Sequence, residues 1–267
     1  MVRAALAFLL VLATVHGARA ETVPVDVELL LAVDISYSMS NRELELQRRG
    51  YAEALTSEPV AKAIRSGLHG RIAIAYVEWG NAGAERVVAD WTLVKNGADA
   101  AAFAARLTRP PSRKRRRTSI SSALAFAARS IERNRFAGIR RVIDVSGDGP
   151  NNAGDKVLPV RDRVAAKGIV INGLPLMTRD GDTRRFDIAS LDAYYRDCVV
   201  AGPGSFVVPV RSWEEFPAAV RQKLVLEIGA APVAKVWQAN FHEPERQADC
   251  EIGEKQWRIF RRYWSFP

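Results

Sequence analysis

The chain has 267 residues, 48% hydrophobic and 26% charged, which is the make-up of a globular domain and excludes a disordered or fibrous protein. Basic residues outnumber acidic ones by 39 to 30, a net charge of +9, so the surface favours anionic partners. Residues 1–20 carry Arg3, an apolar run over 4–15 and Ala18-Arg19-Ala20. A charged start, an apolar middle too short to span a bilayer and an A-x-A end read as a cleaved export signal, with a buried first helix or a membrane anchor as the alternatives. Export makes the mature protein periplasmic or secreted. Its charge without Arg3 and Arg19 is +7, from 37 basic and 30 acidic residues. Outside the cytoplasm the expected partners are acidic proteins or anionic envelope surfaces and not nucleic acid. The oligomeric state is open.

The apolar run 29–33 within 27–34 reads as a buried parallel strand ending abruptly in Asp34-Ile35-Ser36-Tyr37-Ser38. Ser40-Asn41-Arg42-Glu43 has capping-box form, and Leu44, Tyr51, Ala54 and Leu55 continue a helical stripe, predicting a helix over 41–56. Residues 71–79 and 85–93 read as two strands joined by a short loop, an antiparallel hairpin. An alanine-rich helix is expected over 98–107. The helix stop Arg109-Pro110-Pro111 follows, then the basic run Arg113-Lys114-Arg115-Arg116-Arg117. Thr118 opens a helix with Ile120, Leu124, Ala127 and Ile131 on one face. Residues 141–146 form a strand leading to the turn Gly147-Asp148-Gly149-Pro150-Asn151-Asn152. A helix over 157–167, strands over 169–174 and 205–210, and a helix entered through Ser212-Trp213-Glu214-Glu215 complete the pattern. Strands alternating with helices predict an α/β fold of doubly wound type: a mainly parallel sheet with one antiparallel edge strand and helices on both faces. That domain covers 25–229. Residues 230–267 form a tail with no clear period, whose Trp237, Trp257, Tyr263 and Trp264 dock on the domain. Two cysteines in an exported chain predict one disulfide, Cys198–Cys250, with two free thiols as the alternative.

Open α/β sheets bind ligands beyond the carboxyl ends of their strands. Asp34, Ser36 and Ser38 lie at one such end, Asp148 at another, and Thr118 at a helix start. Taken singly, each is an ordinary strand end or helix cap. Together they present hard oxygens, the ligands Mg2+ or Mn2+ prefers. The order D-x-S-x-S, then Thr118, then Asp148-Gly149 resembles the metal-ion-dependent adhesion site of von Willebrand factor type A domains, over about 25–228. The wording of 74–80 and 142–152 is also similar to a bacterial family of exported von Willebrand A-like proteins catalogued as a domain of unknown function. The resemblance implies that Asp34, Ser36, Ser38, Thr118 and Asp148 hold a divalent cation. It departs from the pattern at Gly147, where the family often has Thr or Ser. Asp144, inside its strand, is a weaker rival for Asp148 and reads as a buried or edge carboxylate paired with a neighbouring arginine.

Neutral hydroxyl ligands leave a cation uncompensated charge, so the expected device binds a carboxylate or other anionic group of a partner. Arg113–Arg117, beside Thr118, would steer such a partner or form a solvated loop. Enzymatic alternatives are thinner. The mature chain has only His69 and His242 and no G-x-S-x-G, and the 147–152 turn has Asn where a dinucleotide fingerprint needs Gly. Asp180-Gly181-Asp182 lacks the loop order of an EF-hand. A metal-assisted hydrolase would need a base beside the cation. The remaining alternative is a structural envelope protein that uses the fold without metal.

Overall fold

The computed structural model describes residues 22–108, 114, 116–178, 188, 190–229 and 248–264. The expected export signal, Arg113, Arg115 and the acidic turn at Asp180 lie outside them. Five strands, β1 (Val23–Asp34), β2 (Ile72–Trp79), β3 (Arg86–Val94), β4 (Phe136–Gly147) and β5 (Ile169–Pro175), form one sheet in the order β3-β2-β1-β4-β5. β1 pairs parallel with β2 and β4, β4 pairs parallel with β5, and β3 is the antiparallel edge strand. The chain leaves β1 for β2 on one side and later returns to β4 on the other. The carboxyl ends of β1 and β4 therefore flank the switch point, where such sheets open a crevice.

The helices are α1 (Asn41–Leu55), α2 (Glu58–Arg65), α3 (Gly97–Leu107), α4 (Ile120–Arg133), α5 (Val157–Ala165), the single turn α6 (Leu191–Tyr194), α7 (Phe216–Ile228) and α8 (Ile252–Trp264). Side chains alternate across the pleat of β1 and so feed two apolar layers. Leu29, Leu31 and Val33 pack with Leu44 and Tyr51 of α1, Val60 of α2, Phe103 of α3 and Phe216 and Leu224 of α7. Leu30 and Ala32 pack on the opposite face with Leu124 of α4, Val160 of α5 and Tyr194 of α6. Each large aliphatic side chain buried this way contributes about 1.5–3 kcal/mol. The capping box of α1 is present: the Ser40 hydroxyl accepts from the Glu43 N–H at 3.2 Å, and the Glu43 carboxylate accepts from the Ser40 N–H at 2.5 Å.

Several elements depart from the sequence expectation, each for a local reason. α2 is an extra helix, with Pro59 in its first turn, where a missing N–H costs nothing. Residues 205–210 form isolated bridges, Gly173 with Val207 and Leu176 with Val210, and not a sixth strand. Pro209 has no N–H to continue a ladder. β4 begins at Phe136, five residues earlier than expected, beside Glu28 of β1, whose carboxylate accepts from the Gly138 N–H at 2.8 Å and from Asn134 at 2.6 Å. The Ser212–Glu215 box is only half formed: Glu215 accepts from the Ser212 N–H at 2.8 Å, but α7 starts at Phe216 with no side-chain cap.

Asp144 is buried, but its partner is Lys223 of α7 at 2.8 Å and not an arginine. Arginines near β4 are half-exposed, whereas Lys223 projects from α7 straight onto the sheet. Lys223 also pairs with Glu227, which accepts from Asn172 Nδ2 at 3.0 Å. Two buried acids thus share one lysine. Burial first, then the Asp144 charge, pushes Glu227 from the usual 4.5 up to about 7, against the pull of Lys223.

Within the expected tail, Trp237 lies outside the described residues, and Ile252–Trp264 form a regular helix, α8. It is tied to the domain by the Cys198–Cys250 disulfide, with Cα atoms 5.5 Å apart. It lies against the turn after β4. Gly253 is packed so closely that a Cβ there would come 2.2 Å from the Asn151 carbonyl oxygen. Glu254 accepts from Asn151 Nδ2 at 2.7 Å, and the Trp257 ring lies 4.4 Å from the Arg117 guanidinium. In the sequence of α8, Ile252, Trp257, Phe260 and Tyr263 recur at helical spacing along one side, and Ile252 packs on the apolar layer beneath α4 and α5.

Between about 4.5 and about 7 the folded protein holds a proton on Glu227 that the unfolded chain has released, so stability should fall as pH rises through that window. Glu227→Gln should flatten the slope in urea midpoints measured across pH; an unchanged slope would refute the assignment. Reducing the disulfide, which closes a loop across a separation of 52 residues, should remove up to about 4 kcal/mol and make α8 sensitive to protease. Gly253→Ala should undock α8 with the disulfide intact, seen as the same new cleavage sites.

Candidate metal centre

β1 ends at Asp34, and the chain turns at once, with the Met39 N–H donating to the Ser36 carbonyl at 3.1 Å. The turn folds the serines back over the aspartate. The Ser36 N–H donates to Asp34 Oδ1 at 2.7 Å and the Ser36 hydroxyl to Oδ2 at 3.0 Å. Ser36 and Ser38 hydroxyls lie 2.9 Å apart. Asp148, one residue past β4, brings Oδ1 to 2.8 Å from the Ser38 hydroxyl and 3.4 Å from that of Ser36. Four of the five candidate ligands thus form one hydrogen-bonded cluster across the β1 and β4 ends.

The fifth, Thr118, is placed differently from the sequence reading. It does not cap a helix: α4 begins at Ile120, and Ser119 is its cap, accepting from the Ser122 N–H at 3.3 Å. Thr118 is buried two residues before α4. Its N–H donates to Asn152 Oδ1 at 2.9 Å, and its carbonyl accepts from the Asn152 N–H at 2.8 Å. Asn152 therefore binds the Thr118 segment to the Asp148 turn. Asn151 does the same for α4, its Oδ1 accepting from the Ser121 N–H at 3.1 Å. In the sequence both asparagines read only as turn residues. Their signal was a tandem Asn after Pro150, the chemistry of a side chain that hydrogen-bonds nearby backbone.

The oxygen arithmetic bears on what the cluster holds. Asp34 Oδ2, the two serine hydroxyls and Asp148 Oδ1 make four close contacts. The two hydroxyls supply only one proton each. Two carboxylates brought this close repel, and a carboxyl proton or a cation between them relieves the repulsion. Burial, then the Asp148 charge, raises the Asp34 carboxyl well above the usual range. A divalent cation would relieve the same repulsion with both acids ionised, so this donor set fits one. Among the described residues no three His, Cys, Asp or Glu side chains converge on one point; the corner joins two carboxylates with hydroxyls.

Gly147 precedes Asp148 in close quarters. A Cβ there would lie 2.9 Å from the Tyr195 hydroxyl and 3.0 Å from Asp34 Oδ2. Burial first, then the charges of Asp34 and Asp148, pushes the Tyr195 phenol upward. Neighbouring Tyr194 accepts from the Asn151 N–H at 3.1 Å. On the rim, Lys114 Nζ lies 5.4 Å from the ring of exposed Tyr37, between the two serines, so part of the basic run stands beside the cluster. Arg116 is exposed. Arg117 is engaged within the fold: its N–H donates to Asn81 Oδ1 at 2.7 Å, its guanidinium to the Asn152 carbonyl, and it stacks on Trp257.

The fold is similar to proximal thread matrix protein 1 of the mussel byssus, at TM-score 0.55 and 14% identity, covering 78% of this chain and 49% of that one. A second structure of that protein is described with a zinc-occupied MIDAS motif; it matches at TM-score 0.54 and 16% identity, over 78% and 49%. A von Willebrand factor type A protein from Catenulispora acidiphila matches at 0.53 and 15%, over 77% and 43%, and the pilus adhesin SpaC of Lactobacillus rhamnosus GG at 0.56 and 12%, over 76% and 31%. This chain spans about half or less of each of those proteins. No curated protein matches the sequence. Residues 24–232 match the model of the family described as "Protein of unknown function (DUF1194)". The chain belongs to that family, and its fold is that of a von Willebrand factor type A domain.

Proposed function

We propose that this domain is a binding module that recognises an acidic partner group through a divalent cation, Mg2+ or Mn2+. The observation that carries the reading is the hydrogen-bonded cluster of Asp34, Ser36, Ser38 and Asp148, two carboxylates and two hydroxyls gathered across the ends of two adjacent strands. Asp34 and Asp148 would supply charge and Ser36, Ser38 and Thr118 neutral oxygen. A cation so held keeps Lewis acidity for a carboxylate from outside. A zinc-occupied motif in one protein of the same fold, and a pilus adhesin in another, support this class of function. No histidine stands among the residues of the cluster to act as a base for hydrolysis. Lys114 and Arg116, with Arg113 and Arg115 from the same run, would draw an anionic partner toward the rim. Residues 1–20 would deliver the domain to the envelope or the exterior. Among the described residues no helix is long and apolar enough to cross a membrane.

Calorimetry with MnCl2 or MgCl2 should give one site per chain, abolished in Asp34→Ala and in Asp148→Ala while circular dichroism is preserved. A wild-type protein that binds neither metal would leave the metal-free structural reading in its place. Capture on an immobilised polyglutamate surface should need Mg2+ and be reversed by EDTA. Replacing Arg113, Lys114, Arg115 and Arg116 with Ser should slow that association at low salt by at least about tenfold with metal affinity unchanged. Arg117 is spared because it stacks on α8. An unchanged rate would make the run a solvated loop.

A further inference from the structure

Two strand glycines make room for one tyrosine beneath the metal corner. Gly147 ends β4, and a Cβ at that position would meet both the Tyr195 hydroxyl and Asp34 Oδ2 within 3.0 Å. Gly173 on neighbouring β5 yields to the same ring, since a Cβ there would lie 2.7 Å from Tyr195 Cδ1. Tyr195 follows α6 on the π-helical turn Tyr195–Val199 and is fully buried. The ring is seated from two adjacent strands, and its hydroxyl and Asp34 Oδ2 both border the space beside Gly147.

That hydroxyl has no hydrogen-bond partner among the described residues. Buried polar groups are nearly always paired, and an unpaired one destabilises the fold. Phenylalanine would fill the same space without that cost. Tyr194, one residue earlier, shows the ordinary arrangement, with its hydroxyl satisfied by the Asn151 N–H. The hydroxyls of Tyr51 and Tyr76 are also unpaired among the described residues, and what sets Tyr195 apart is that its hydroxyl borders the same space beside Gly147 as Asp34 Oδ2.

We propose that Tyr195 is a positioning residue of the Asp34–Asp148 site, whose hydroxyl donates toward the Oδ2 edge of Asp34 and fixes that carboxylate when a divalent cation is bound. The inference rests on the metal-binding reading. Oδ2 accepts from the Ser36 hydroxyl at 3.0 Å, and a carboxylate oxygen can accept more than one hydrogen bond. The tyrosine hydroxyl stands where a hydroxyl-bearing side chain at 147 would have to go. The two devices exclude each other, because both claim the space around Gly147.

Mn2+ affinity and metal-free melting temperature should be measured together for wild type, Tyr195→Phe, Gly147→Ser and the double variant. Tyr195→Phe should melt at or above the wild-type temperature without metal and bind Mn2+ about tenfold more weakly, about 1.4 kcal/mol. Gly147→Ser alone should melt lower, because its side chain meets the phenol. In the double variant the serine has the vacated space, and Mn2+ affinity should return to within about threefold of wild type. Equal Mn2+ affinity in wild type and Tyr195→Phe would overturn the role of Tyr195 and leave the metal site standing. A lower metal-free melting temperature in Tyr195→Phe would make the hydroxyl structural and also overturn it. A wild type that binds no Mn2+ would overturn the metal reading and this inference with it.

Discussion

Asp34 and Asp148 close two adjacent parallel strands, and their carboxylates are drawn into one cluster by the hydroxyls of Ser36 and Ser38. Like charges in a buried corner repel strongly, because little water screens them. The cluster can persist only with a proton or a cation among its oxygens and a frame that keeps the strand ends from relaxing apart. Much of the surrounding structure is that frame. β1 and β4 are locked in register over most of their length, so their carboxyl ends cannot slide. Gln47 of α1 donates to the Asp34 carbonyl at 3.2 Å, and the buried Arg48–Glu78 pair at 2.6 Å fixes α1 to the end of β2.

The Asp148 side of the corner is held by side chains borrowing backbone groups. Asn152 joins the turn to Thr118, Asn151 joins it to α4, and Tyr194 receives the Asn151 N–H. α8 adds an outer brace through Gly253, Glu254 and Trp257, and the disulfide keeps that brace near at low entropic cost. The disulfide and the metal corner are physically continuous, since Cys198 and Tyr195 share one π-helical turn.

The opposite layer carries a second charged group, Lys223 with Asp144 and Glu227, fully buried beneath α7. A buried ion pair stabilises little in net terms, but losing one partner leaves a charge stranded. This group fixes α7 against β4 from below while Asp148 is fixed from above. Asp144 is thereby committed to Lys223, and the aspartate that reaches the strand end is Asp148.

The legible parts were those governed by local pattern. Apolar runs of strand length, helical stripes and the capping box at Ser40 determined the alternating elements, and alternation with right-handed crossovers leaves little choice but a doubly wound sheet. The short 80–85 loop made β3 antiparallel. Asp34, Ser36, Ser38 and Asp148 stood out because strand ends are readable and polar residues gathered there have a physical use. Tertiary structure alone decided the rest. Tyr195 lies far along the chain from Asp34, and only the seating of its ring over Gly147 and Gly173 brings them together. The role of Asn152 depends on a loop meeting another loop. The sequence of α8 does carry a helical period, with Ile252, Trp257, Phe260 and Tyr263 on one side and arginines on the other; what tertiary contact decided was its seat on the turn after β4. Thr118 was displaced from its expected cap because Ser119 competes for the same role, and one residue's difference in a loop is set by packing and not by propensity. Sequence by itself determined the elements and the strand ends, since those depend on neighbours along the chain. The third dimension decided which distant groups close the site, since that depends on close contact between side chains.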